Sequence, residues 1–104
     1  MKKIITGGFL CATLAPMLAE DHLIKQEDRA FSQTEITIKA DDSLVFTNAD
    51  EVTHNVFSKS EANRFDIRVQ KPGEATKIQF KQEGDTEVRC AIHPHMKIIV
   101  HVQK

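Results

Sequence analysis

Cys90, His93 and Met96 fall within seven residues, in Cys90-Ala91-Ile92-His93-Pro94-His95-Met96. A thiol, an imidazole and a thioether are soft to borderline donors, a mixture that suits copper far better than oxygen-seeking cations. Two imidazoles and one thiolate in a trigonal plane, with a long axial thioether, make a site that exchanges single electrons. This stretch supplies three of the four donors. The fourth must come from elsewhere, and His54, in Glu51-Val52-Thr53-His54-Asn55-Val56-Phe57, is the natural candidate.

Each donor has a plainer reading. A lone cysteine is commonly a buried core residue, and a loop methionine commonly fills an apolar gap. It is their joint spacing that favours a metal. His93 lies close enough to Cys90 for both to reach one ion across a tight turn, which Pro94 stiffens. His95 is the rival imidazole, but it abuts Met96 and leaves no separate direction for each donor, so it reads as an exposed neighbour. His22 lies far upstream, and His101 falls on the polar side of its strand. Zinc also accepts Cys and His, yet structural zinc sites draw on several thiolates or strong imidazoles, and a thioether adds little there.

These residues resemble the cupredoxin family of type 1 blue-copper proteins, and within it the amicyanins and plastocyanins. The amicyanin ligand loop reads Cys, two residues, His, Pro, one residue, Met. Cys90, His93, Pro94 and Met96 match it in order, and the upstream His-Asn pair falls on His54 and Asn55. The resemblance implies one copper per chain held by His54, Cys90, His93 and Met96, the last lying immediately before the closing strand. It also implies that Asn55 bonds across to the Cys90 loop.

Positioning such donors requires a rigid frame. Short alternating runs separated by turn residues predict an all-β Greek-key sandwich of about seven strands. His22 to Gln26 reads as an edge strand, with Phe31 a plug after it. Glu35 to Lys39 turns Ile36 and Ile38 inward, and Ser43 to Asn48 does the same with Leu44 and Phe46. Ser58 to Gln70 is harder to read, although Phe65, Ile67 and Val69 alternate. Pro72-Gly73 predicts a type II turn. Ile78 with Phe80, Val88 with Cys90, and Ile98 with Val100 and Val102 complete the inward set.

The chain has 104 residues, and its start reads as an export signal. Met1-Lys2-Lys3 is basic, Ile4 to Leu14 is mostly apolar, and Ala15 to Ala19 offers a cleavage site after Ala19. Cys11 belongs to this apolar run, which is too short to span a bilayer. An uncleaved anchor is the alternative. Cleavage assigns residues 1–19 to a signal peptide and 20–104 to one copper-binding domain, and it predicts a periplasmic protein. Losing Lys2 and Lys3 leaves twelve basic against fifteen acidic residues, a net charge of −3 that gives no reason to expect nucleic-acid binding. Cys90 is then the sole thiol in an oxidising compartment, a liability that bound metal removes.

The expected role is electron transfer by Cu(II)/Cu(I) cycling in a non-enzymatic, monomeric protein that is not embedded in a membrane. Four protein donors leave no open position for a substrate, and the edge of His93, rimmed by Ala91, Ile92 and Pro94, is the expected exit for an electron. By resemblance, the partners are a dehydrogenase donor and a c-type cytochrome acceptor. Copper delivery without electron transfer is the alternative, and an enzyme with an open copper position a third. A separate feature is Glu20-Asp21-His22. Cleavage after Ala19 would leave a free amine with His at the third position, a pattern able to wrap Cu(II) in square-planar nitrogens.

Overall fold

Polar and apolar residues alternate along nine strands, which form two mixed sheets packed face to face in a computed structural model that describes residues 18–104. The expected signal peptide lies outside the described residues except for Leu18 and Ala19. The strands are β1 (Asp21–Glu27), β2 (Ala30–Phe31), β3 (Glu35–Lys39), β4 (Ser43–Asn48), β5 (Val56–Ser58), β6 (Phe65–Asp66), β7 (Ala75–Gln79), β8 (Gly84–Cys90) and β9 (Lys97–Gln103). One sheet has the order β2-β1-β4-β7 and the other β3-β9-β8-β5-β6. The all-β sandwich expected from alternation is the fold observed. The count exceeds about seven because β2 and β6 have two residues each, too few to alternate visibly. Among the described residues, no helix is long and apolar enough to cross a membrane.

β1 runs parallel to β4 from Asp21↔Ser43 to Gln26↔Asn48 and is covered on its other side only by β2, at Gln26 and Glu27. It is therefore an edge strand for most of its length. β3 pairs in parallel with β9, while β8 and β9 form an antiparallel hairpin from Gly84↔Val102 to Arg89↔Lys97. Inward residues from both sheets make one core, in which Ile24, Leu44, Phe46, Val56, Phe80, Val88, Ile98 and Val100 are all fully buried. Phe31, Phe46, Phe65 and Phe80 run through it as a chain of contacts, with successive ring centroids 6.1, 6.1 and 5.9 Å apart. Replacing a buried phenylalanine of this kind by alanine typically costs about 3–5 kcal/mol.

The stretch after β5 departs from simple alternation. Phe65 and Ile67 pack on the core as expected, but Val69 is 63% exposed and Gln70 is buried. Arg68 adopts a φ of 65°, and this left-handed residue reverses which side chains face inward. Lys71 to Glu74 form the expected turn, closed by the Glu74 amide donating to the Lys71 carbonyl at 3.1 Å, with Gly73 at φ 86°.

Candidate metal centre

The site forms where β4 and β8 end and β5 begins. Buried Asn48 closes β4 and shapes the loop beyond it. Its amide nitrogen donates to the Val52 and Gln70 carbonyls at 2.9 and 3.0 Å, and its oxygen accepts from the Asp50 amide at 2.9 Å. His54 follows in a bridge with Gln70, the two backbones exchanging hydrogen bonds of 3.0 and 2.7 Å. The Gln70 side chain anchors that bridge to the first sheet, donating to the Phe46 carbonyl at 2.9 Å and accepting from Gln26 at 2.6 Å. His54 is thereby fully buried.

Cys90 ends β8 opposite Val56 and is also buried. Its Sγ lies 3.6 Å from Nδ1 of His54 and 3.9 Å from Nδ1 of His93. The two imidazole centroids are 5.0 Å apart. With bonds of about 2.3 Å to sulfur and about 2.0 Å to nitrogen, a trigonal ion separates the two donors by about 3.7 Å. The observed spacings fit an ion between them without rearrangement. The ring of His54 is also set for ligation. Its Nε2 lies 2.6 Å from Asp50 Oδ2, and a carboxylate there fixes the proton on Nε2 and leaves the Nδ1 lone pair toward the sulfur.

His93 is half-buried in the connection between β8 and β9. A four-residue turn, with Pro94 second, is closed by the Met96 amide donating to the His93 carbonyl at 2.9 Å. Arg89 secures this turn by donating to the Pro94 carbonyl at 3.0 Å. Burial and then the neighbouring His54 and Arg29 charges push the His93 pKa down, favouring the neutral ring that a metal requires. Met96 is 2% exposed and packs in the core cluster beneath the turn. His95 is exposed and outside the cluster, its Nε2 donating to the Arg29 carbonyl at 2.9 Å. His101 faces outward between Glu35 and Asp85, at 2.8 Å from each.

Asn55 does bridge to the Cys90 loop, but through its backbone. Its amide donates to Sγ at 3.4 Å, and its carbonyl accepts from Ala91 at 3.1 Å. Its side chain turns away to Asp66 and the Arg68 carbonyl. Asp50 is the functional residue that sequence reasoning missed; a carboxylate four residues ahead of a ligand-type histidine was the available signal. Burial opposes its ionisation, but hydrogen bonds from His54 and from the Arg29 and Asp28 amides outweigh burial and hold its pKa below the ordinary value.

A β-sandwich with one buried thiol and two converging imidazoles at its end defines a mononuclear copper protein. Residues 20–103 match the copper binding proteins of the plastocyanin/azurin family, and the chain belongs to that family, with copper as its cofactor. No curated protein matches it in sequence. Among solved structures, it shares its fold with a purple cupredoxin from Nitrosopumilus maritimus, at 22% identity and TM-score 0.70 over 80% of this chain and 100% of that one. The reduced Cu(I) form of a proline-to-glycine mutant of amicyanin aligns at 20% identity and TM-score 0.73, over 88% and 89% of the two chains. The copper-containing nitrite reductase of Thermus scotoductus aligns at 22% and 0.74, over 88% of this chain, which spans only 23% of that enzyme's length.

Proposed function

We propose that this protein is a periplasmic single-electron carrier whose copper is held by His54 Nδ1, Cys90 Sγ, His93 Nδ1 and the Met96 thioether. The convergence of Sγ with both Nδ1 atoms at 3.6 and 3.9 Å carries this reading. Bound copper supplies the one-electron cycle, and the chain supplies the rest. Asn55 stabilises the thiolate with its amide, and Asp50 holds the His54 ring in its metal-binding tautomer. His93, the half-exposed member, offers the electron a path to solvent. Ala91, Ile92 and Pro94 stand exposed around it as an apolar rim suited to a brief encounter. By likeness to the amicyanins, the rim would meet a dehydrogenase donor and a c-type cytochrome acceptor in turn.

Four protein donors leave no position for a substrate, so the protein acts as a monomeric carrier rather than an enzyme. Residues 1–19 serve as its signal peptide and residues 20–104 as its functional domain. Reconstitution with Cu(II) tests the assignment. An intense blue thiolate band with narrow copper hyperfine splitting is expected. A colourless complex refutes the site, and a blue protein with very slow electron self-exchange would favour copper delivery instead.

A further inference from the structure

At the opposite end of the sandwich, Glu20, His22 and Asp42 place an imidazole nitrogen and two carboxylates within 4.8 Å of one another. The six residues of β4, about 20 Å of strand, separate this cluster from the copper centre. Asp42 is the organising member, with its side chain 7% exposed. The Glu20 amide donates to its Oδ1 at 2.8 Å and the Lys39 amide to its Oδ2 at 3.1 Å, so backbone groups orient the carboxylate. His22 Nε2 lies 2.9 Å from Oδ2. Two donors held cis on one ion, with bonds of about 2.1 Å at a right angle, sit about 3.0 Å apart. An ion can therefore replace the shared proton with little movement of either group. The cluster opens on a cleft of about 250 Å³ that leaves room for the ion and its waters.

We propose that Glu20, His22 and Asp42 form a second metal site, for a divalent first-row cation such as Zn(II) or Cu(II), bound through side chains. Imidazole with two carboxylates suits both ions. Asp42 and His22 supply the buried and half-buried donors, and Glu20 closes the site from the surface. Lys39 lines the same cleft, and its positive charge keeps the affinity moderate. This differs from the square-planar wrapping that Glu20-Asp21-His22 predicts in sequence. Asp21 and His22 are in register with Ser43 and Leu44, so wrapping their amides around an ion would strip the start of β1 from β4. The side-chain site keeps the ladder and needs no free amine at Glu20.

Acetylating the N-terminus of the mature domain, residues 20–104, removes the free amine while keeping the Glu20 N–H that donates to Asp42, so it isolates the side-chain mode. The copper-loaded, reduced and N-acetylated domain is titrated with zinc chloride by calorimetry, with histidine resonances followed by NMR. One zinc per chain should bind, with shifts centred on His22. His22→Gln should weaken binding at least tenfold and Glu20→Gln severalfold, while His95→Gln and His101→Gln leave it unchanged. Because Asp42 also supports the backbone, Asp42→Asn is secondary; intact blue absorbance after oxidation verifies the fold of every variant. Absence of a zinc equivalent overturns the proposal. So does binding that survives His22→Gln, or binding that is lost with His101→Gln.

Discussion

The Asp50 carboxylate lies 2.6 Å from Nε2 of His54 and also accepts the Asp28 and Arg29 amides at 2.6 and 2.9 Å. One buried carboxylate thus ties the deepest imidazole to the turn between β1 and β2. Asp50→Ala should lower copper affinity about 10- to 100-fold, the usual cost of losing a partner that orients a metal-binding histidine. Asp50→Asn keeps an acceptor but removes a negative charge, so its reduction potential should rise. Competition with a copper chelator and voltammetry measure the two effects. Affinity unchanged in Asp50→Ala would show that packing alone positions His54.

Cys90→Ser should abolish the blue band, because a hydroxyl cannot replace the soft thiolate. His95→Ala should leave the spectrum nearly intact, since that ring reaches only the Arg29 carbonyl. Absorption spectra of the copper-loaded variants decide, and bleaching by the His95 change would reassign the second imidazole.

Met96→Leu nearly conserves volume in the core, so its stability cost should stay below about 1.5 kcal/mol. A lost axial donor should raise the reduction potential while the protein stays blue. If voltammetry finds no change in potential, Met96 serves the core and not the metal.

His101 gives stability a pH dependence. Hydrogen bonds donated by its ring to Glu35 and then Asp85 raise its folded pKa above the ordinary 6.5. The folded state therefore binds this proton more tightly than the unfolded chain. The resulting stabilisation is complete below about pH 6.5 and fades as pH climbs through the folded value. Thermal melts of His101→Gln should lie closest to wild type at alkaline pH and fall below it in mild acid. A constant difference across that range would exclude the linkage.

Gly73 holds φ at 86° with nothing within 4 Å of an added Cβ. Gly73→Ala therefore bears only backbone strain, about 1–2 kcal/mol. Gly73→Asn, better tolerated in that region, should cost less. Denaturant melts that rank the two variants the other way would point to a hidden steric contact.

Much of this molecule is legible in sequence because β side chains alternate with a period of two. Leu44 with Phe46, Val88 with Cys90, and Ile98 with Val100 all face inward as their spacing predicts. The pattern fails where the backbone resets it. Arg68 exposes Val69 and buries Gln70, and nothing local in Arg68-Val69-Gln70 announces a left-handed residue. The parallel pairing of β1 with β4 was also hidden, since register between distant strands is settled by the whole core. At the site, the spacing of Cys90, His93 and Met96 was visible because one short turn holds them. Asp50 was not, because a carboxylate in a polar loop looks solvated until the fold buries it beside His54.

The turn that carries Cys90, His93 and Met96 joins two strands already paired from Gly84↔Val102 to Arg89↔Lys97. That hairpin does not depend on the length of its cap. Each doubling of a flexible loop costs only about 0.6 kcal/mol of closure entropy. The cap is thus an exchangeable cassette on a finished scaffold. Insertions or deletions between Cys90 and Met96 can alter donor spacing, and with it metal preference and potential, while leaving the sandwich intact. Cys90 and Met96 are themselves core residues, so that freedom belongs to the exposed positions between them.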